Sequence, residues 1–147
     1  MAGSKKDTFE NSLLAHIFNN ANIANMGDAT GLRGSTAAGN LYVALFTVAP
    51  SDSAQGTEAN YTNYARVAVA RSAGGWTVAG NNASNAAAIT FPTCGATPNT
   101  LVAFAICLAG AAGVDDAIYW GDLTANLAVS NGITPEFAIG DLDINED

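Results

Sequence analysis

Positive charge is scarce in this chain of 147 residues: five Lys and Arg stand against thirteen Asp and Glu, for a net charge of −8. Proteins that grip nucleic acid or anionic lipid need clustered cations to neutralise phosphates. Here Lys5 and Lys6 lie at the terminus, and Arg33, Arg66 and Arg71 are scattered. Nucleic acid and anionic membrane are thereby excluded as partners, whereas a basic protein surface is not. Charge of either sign is also thin, at 12% of residues, about half the usual share. Either the surface is a neutral skin of Asn, Thr, Ser, Gly and Ala, or much of it is covered by partner subunits, since the cores of interfaces are depleted of charge.

Reactive side chains are equally few. His16 is the single histidine, with no neighbouring Ser or Cys nucleophile in the sequence, so it does not read as a general base. No GxSxG, P-loop, HExxH or dinucleotide fingerprint is present. Asp115, Asp116 and Asp122 are the candidates for a carboxylate pair, but all sit near turns, where solvated acids are the rule. The two cysteines, Cys94 and Cys107, form no CxxC motif and have no His-rich company, which argues against zinc. Cys107 shares a strand face with Leu101, Ala103 and Ala105 and reads as a small buried residue, and Cys94 lies in a loop. Two inert thiols are expected, with a disulfide as the alternative. Asp141, Asp143 and Asn145 have the opening spacing of a calcium loop, without its glycine or its distant Glu. Alternation explains them better, with Leu142 and Ile144 facing in on a last edge strand. No catalytic residue, no metal ligand and no cofactor is therefore assigned.

Long apolar runs are missing too. TLVAFAICLAGAAGV is the nearest to a membrane span, and it is too short and broken by Gly110 and Gly113. MAGSKKDTFENS lacks the apolar stretch of a secretory leader. Synthesis in the host cytoplasm, without general export or membrane insertion, is expected.

What is abundant is short apolar stretches set between turns. Residues 1–40 form one region. Asp7 and Glu10 make a capping-box-like pair, and Phe9, Leu13, Leu14, Ile17, Phe18 and Ala21 recur at helical spacing. A helix is predicted that ends near residues 20–25, followed by a Gly-rich linker from Gly27 to Asn40. Its stripe, Phe9, Leu13, Ile17 and Phe18, is expected to dock on the protein's own domain or on a neighbouring subunit.

Residues 41–147 form the second region. LYVALFTV, YARVAVAR, GWTV, AAAITF, TLVAFAICL, AIYWGDL, NLAVS, PEFAIG and LDIN follow one another at nearly even spacing, the signature of an antiparallel two-sheet sandwich, jelly-roll-like. Both alternating sets of LYVALFTV are apolar, which predicts a central strand covered on both faces. Arg66 and Arg71 bracket a strand with solvent-reaching ends. Gly74-Gly75, Gly80-Asn81 and, most strongly, Asn131-Gly132 signal hairpin turns. Phe46, Val67, Val69, Ile89, Phe104, Ile106 and Phe137 are expected in the core. Tyr61, Tyr64, Trp76 and Trp120 would support carbohydrate binding only if several were exposed together.

The stretches Leu41 to Pro50, Tyr64 to Val69, Asn85 to Pro92 and Trp120 to Ile144, with DTFENSLLAHIF in front, resemble a family of small virion proteins of tailed bacteriophages, variously labelled tail-fibre, decoration or cement proteins. The resemblance covers most of the chain and rests on strands and turns, so it brings no catalytic residues with it. It implies a non-enzymatic structural protein of the virion. The leading expectation is a capsid decoration or cement protein that stabilises the assembled shell as a homo-oligomer, its partners being other copies of itself and the major capsid or tail protein. The alternative is a tail-fibre, collar or baseplate component with a receptor- or carbohydrate-binding role.

Overall fold

The computed structural model describes residues 7–23 and 38–146. Among them are one helix and ten strands, all observed strand pairings being antiparallel where the register is defined. The class is the expected one, mainly antiparallel β with a short N-terminal helix. The strands are distributed over three sheets of five, three and two strands.

Helix α1 spans Asp7–Asn19. It stops where Asn20 takes a left-handed φ of 53°, a conformation that Asn tolerates better than most residues. The Phe9 side chain, the Asp7 cap and most of the Gly-rich stretch lie outside the described residues. Leu14 and Phe18 are fully buried, and the helix packs on β4 (Trp76–Ala79) and β5 (Asn82–Asn85). With β10 (Asp143–Asn145) these strands form a sheet in the order β10-β5-β4. Gly80, at a φ of 63°, makes the β4–β5 turn a true hairpin. The C-terminal alternation holds: Leu142 and Ile144 are buried, while Asp141, Asp143 and Asn145 face solvent on an edge strand.

The larger sheet runs in the order β2-β1-β7-β8, with β3 also paired to β1. These are β1 (Asn40–Val48), β2 (Thr57–Glu58), β3 (Val67–Ala70), β7 (Asn99–Cys107) and β8 (Ala117–Val129). β1 and β7 read as near-continuous apolar runs because both of their faces are shut off from water. Val43, Ala44, Leu45 and Phe46 are buried, as is every residue from Ala103 to Cys107. One face carries Ala44, Phe46, Ala103, Ala105 and Cys107, and Phe104 and Ile106 take the other by alternation. Gly121 lies opposite Phe104, and a Cβ there would sit 3.1 Å from the Phe104 ring. β8 departs from the β7 register twice: near Ile118, and between Asp122 and Leu127, where extra residues bulge outward. The smallest sheet pairs β6 (Ile89–Thr90) with β9 (Glu136–Phe137).

The chain forms two interleaved compact units, not two consecutive ones meeting at residue 40. One comprises residues 1–40, 70–88 and 137–147, the other 41–69 and 89–136. The helix belongs with β4, β5 and β10 because its stripe is buried on them.

Two expected hairpins are turns between different sheets. Gly75 and Trp76 donate backbone hydrogen bonds to the Ser72 carbonyl, but β3 pairs with β1 and β4 with β5. Gly132, at a φ of 86°, follows β8, yet β9 pairs with β6. The reason is a competing partner: Gly132 N–H donates to the Cys94 carbonyl, and Cys94 N–H donates to that of Ile133. Of the expected core, Phe46, Ile89, Phe104 and Ile106 are buried, whereas Val67, Val69 and Phe137 are only half-buried. Val67 and Val69 fall short because β3 is a brief strand of the five-stranded sheet's periphery, off its main path.

Candidate functional site

The chemistry of the larger unit is concentrated on Arg66. Rather than reaching solvent at a strand end, its side chain is fully enclosed. A buried guanidinium must be paired, and this one has every donor engaged. Nε donates to Glu58 Oε1 at 2.9 Å and Nη2 to Glu58 Oε2 at 3.0 Å, a bidentate grip. Nη1 donates to Asp116 Oδ1 at 2.7 Å and to the Ala109 carbonyl at 2.8 Å. The remaining Nη2 proton goes to the Val114 carbonyl at 2.8 Å. Those five bonds exhaust a guanidinium's donor set.

The carboxylates are also saturated. Glu58 accepts from Tyr64 Oη at 2.8 Å and from the Gly113 N–H at 2.6 Å. Asp116 Oδ2 accepts from the Ala109 N–H. Tyr64 Oη accepts from the Leu45 N–H at 3.0 Å, tying the cluster to β1. Burial alone would lower the Arg66 pKa. Hydrogen bonds to Glu58 and Asp116 outweigh it and raise the value, so the charge is fixed. Burial raises the Tyr64 pKa strongly, and Tyr61, whose hydroxyl donates to the Pro92 carbonyl at 3.0 Å, is pushed up to about 12 for the same reason, with Cys94 adding to it.

The product of this cluster is a fixed loop. Ala109, Gly113, Val114 and Asp116 all belong to the β7–β8 connection, and Gln55 Nε2 adds a bond to the Gly113 carbonyl at 2.9 Å. Gly56 lets the opposing strand reach in: its φ is 74°, and a Cβ there would lie 2.4 Å from the Val48 carbonyl oxygen. On this braced loop and the start of β8, Leu108, Val114, Ile118 and Trp120 are left exposed. The arrangement offers no free base, acid or anion-binding donor. It offers a rigid apolar surface.

The other sites weighed from the sequence resolve differently. Asp116 is taken by Arg66, and Asp115 and Asp122 are exposed, so the three do not form a carboxylate pair around an open site. Tyr61 and Trp76 are buried, Tyr64 is half-buried and Trp120 alone of the four is exposed. They build no shared aromatic platform. Cys94 and Cys107 are both free and buried. Burial pushes the Cys107 thiol up to about 12, against the opposing pull of Arg66. Among the described residues, no group of three or more His, Cys, Asp or Glu comes together as a metal site, and no helix is long and apolar enough to cross a membrane.

On the helix, Phe18 is buried edge-on against Trp76, their ring centroids 4.5 Å apart, while Leu13 and Ile17 are half-buried. Arg71, expected in solvent, instead donates to the His16 and Ile17 carbonyls at the helix C-terminus and to Ala38. There it satisfies orphan carbonyls and meets the negative end of the helix dipole. Both arginine roles were missed from the sequence. The available signal was scarcity: an Arg adjoining an apolar run, in a chain richer in carboxylates than in cations, has acceptors to find.

An antiparallel β protein whose scarce charges brace loops, and whose exposed side chains are apolar, belongs to the class of structural binding modules. The more particular identification follows from comparison: the family described as podophage GP4 fiber I protein gp80 matches residues 4–145. The chain belongs to this family, and so to the structural proteins of tailed-phage virions. No curated protein matches the chain.

Proposed function

We propose that the protein is a non-enzymatic component of the tail-fibre apparatus, made in the host cytoplasm and incorporated into the virion through contacts with its own copies and with tail protein. The observation that carries this reading is the match, over residues 4–145, to a family described by a fibre protein. The Arg66 cluster supports it physically. It holds the β7–β8 connection in one conformation before any partner arrives, which reduces the ordering cost of binding. The half-buried Leu13 and Ile17 give a second, smaller surface that a neighbouring subunit can use.

The second reading is a capsid decoration or cement protein. It is favoured by the low charge of the chain, 12%, which suits a surface covered on several sides by lattice neighbours. A cement binds the assembled shell and not the dispersed subunits, so mass action favours the assembled state.

A phage deleted for the gene separates the two. The fibre reading expects particles with parental heat resistance that fail to adsorb to the host. Fragile particles that adsorb normally would transfer the assignment to the shell. Gel densitometry of purified virions gives an independent answer, since a fibre component is present in far fewer copies than a lattice-covering one.

A further inference from the structure

Sheet edges present unpaired backbone donors and acceptors, and proteins blunt them by keeping edge strands short or by placing Lys, Pro or charge on them. In this chain β2, β6 and β9 have two residues each, β10 has three, and β3 and β4 have four. β8 is the exception. It has thirteen residues and ends the five-stranded sheet. Its sequence, AIYWGDLTANLAV, holds no Lys or Pro and a single charge, Asp122. Ile118, Trp120 and Leu127 are exposed by 37%, 43% and 38%. The outward bulge after Asp122 divides the strand, and the part before it carries two of these three side chains beside the braced loop.

We propose that the outer edge of β8 is the surface through which two copies of this chain pair, strand against strand, chiefly over Ala117–Asp122. Charge selects the occupant. Copies that each carry −8 repel, and among the described residues neither arginine is free to offset this, Arg66 being enclosed and Arg71 spent on the helix end. Repulsion is least where carboxylates are sparsest, and β8 has one in thirteen residues. A second copy also brings an edge of the same length and the same lack of blunting. Antiparallel pairing about a two-fold axis consumes both edges and closes the assembly. The inference does not depend on whether the protein sits on the fibre or the shell.

Light scattering coupled to size exclusion, on the purified full chain over about a hundredfold range of concentration, reads the association directly. The expected mass is twice the 14.9 kDa of one chain at the top of the range, falling on dilution. Trp120→Lys and Ile118→Lys each move the transition at least tenfold upward in concentration, and Val48→Lys, at an exposed apolar position outside β8, does not. Circular dichroism melts verify that each variant folds, and Trp120→Thr replaces any that does not. Hydrogen exchange supplies a readout without mutation: amides within Ala117–Asp122 gain protection as concentration rises. A chain that stays monomeric throughout, or a dimer indifferent to all β8 variants, overturns the proposal. So does a monomer that uses Trp120 to hold a different virion protein.

Discussion

The two compact units use their arginines in opposite ways. In the larger unit Arg66 is sealed from solvent and balanced by two carboxylates. In the smaller unit Arg71 is half-buried, and its printed partners are all backbone carbonyls. The first arrangement fixes a loop against a sheet, and its charges have no alternative partner. The second trims the end of a helix, where water can substitute. What distinguishes the two is less the number of hydrogen bonds than what remains if the arginine is removed.

The largest effect therefore belongs to Arg66. Arg66→Ala leaves Glu58 and Asp116 enclosed without a counter-charge, and losing one member of a buried ion pair costs about 3–5 kcal/mol. Chemical denaturation should show a loss of that size. Arg66→Lys should recover little of it, because an ammonium has three donors on a point charge where five acceptors are spread over a plane. A stability unchanged in Arg66→Ala would erase the contrast between the units.

The same unit makes the protein sensitive to alkali. Cys107 is raised from 9.0 to about 12 and Tyr61 from 10.0 to about 12, both chiefly by burial. Their folded pKa values exceed the unfolded ones, so between these limits the folded state holds more protons. Stability is then complete below about pH 9 and declines as pH rises toward 12. Urea midpoints across that range should fall steadily. In the folded protein at pH 8 neither buried thiol should react with a thiol reagent, whereas both should react once it is unfolded.

Next in size is the aromatic contact of the smaller unit. Phe18→Ala empties a fully buried site against Trp76, at a cost of about 3 kcal/mol. Asn85→Ala is expected to cost about 2 kcal/mol. That residue is buried, donates to the Ala87 and Ala138 carbonyls and accepts from the Leu142 N–H, so truncation strands backbone groups near the C-terminal strand. If Asn85→Ala proved the costlier of the two, polar stapling rather than apolar packing would dominate this unit as well.

Periodicity made the individual elements legible, and not their pairing. Alternating apolar sets in LYVALFTV and TLVAFAICL identified β1 and β7 as strands covered on both faces, and the stripe through Leu14 and Phe18 identified the helix. Leu142 and Ile144 were correctly placed inward by the same rule. Pairing depends on long-range competition that a local turn signal does not contain. Asn131-Gly132 makes its turn, but the Cys94 loop and β6 take the outgoing chain. The candidate site was legible only as an absence of catalytic groups. Glu58, Arg66 and Asp116 are separated by long stretches of chain, and nothing local in any of the three announces a partner. Trp76, Tyr61 and Phe91 entered the core unannounced because isolated aromatics beside turns carry no period.

The smallest effect sharpens the opening contrast most directly. Arg71→Ala removes three side-chain bonds to carbonyls, but those carbonyls lie at a helix end and at Ala38, beside solvent-facing backbone. Water can replace the lost donors, and the favourable term given up is the interaction of a cation with the helix C-terminus, worth about 1 kcal/mol. Because the group is half-exposed, salt should screen part of that term. The difference between parent and Arg71→Ala should then shrink at high ionic strength, while the Arg66→Ala deficit stays nearly constant. Thermal melts of both variants at low and high salt make the comparison in one experiment. Equal salt dependence of the two would mean that enclosure does not distinguish the arginines.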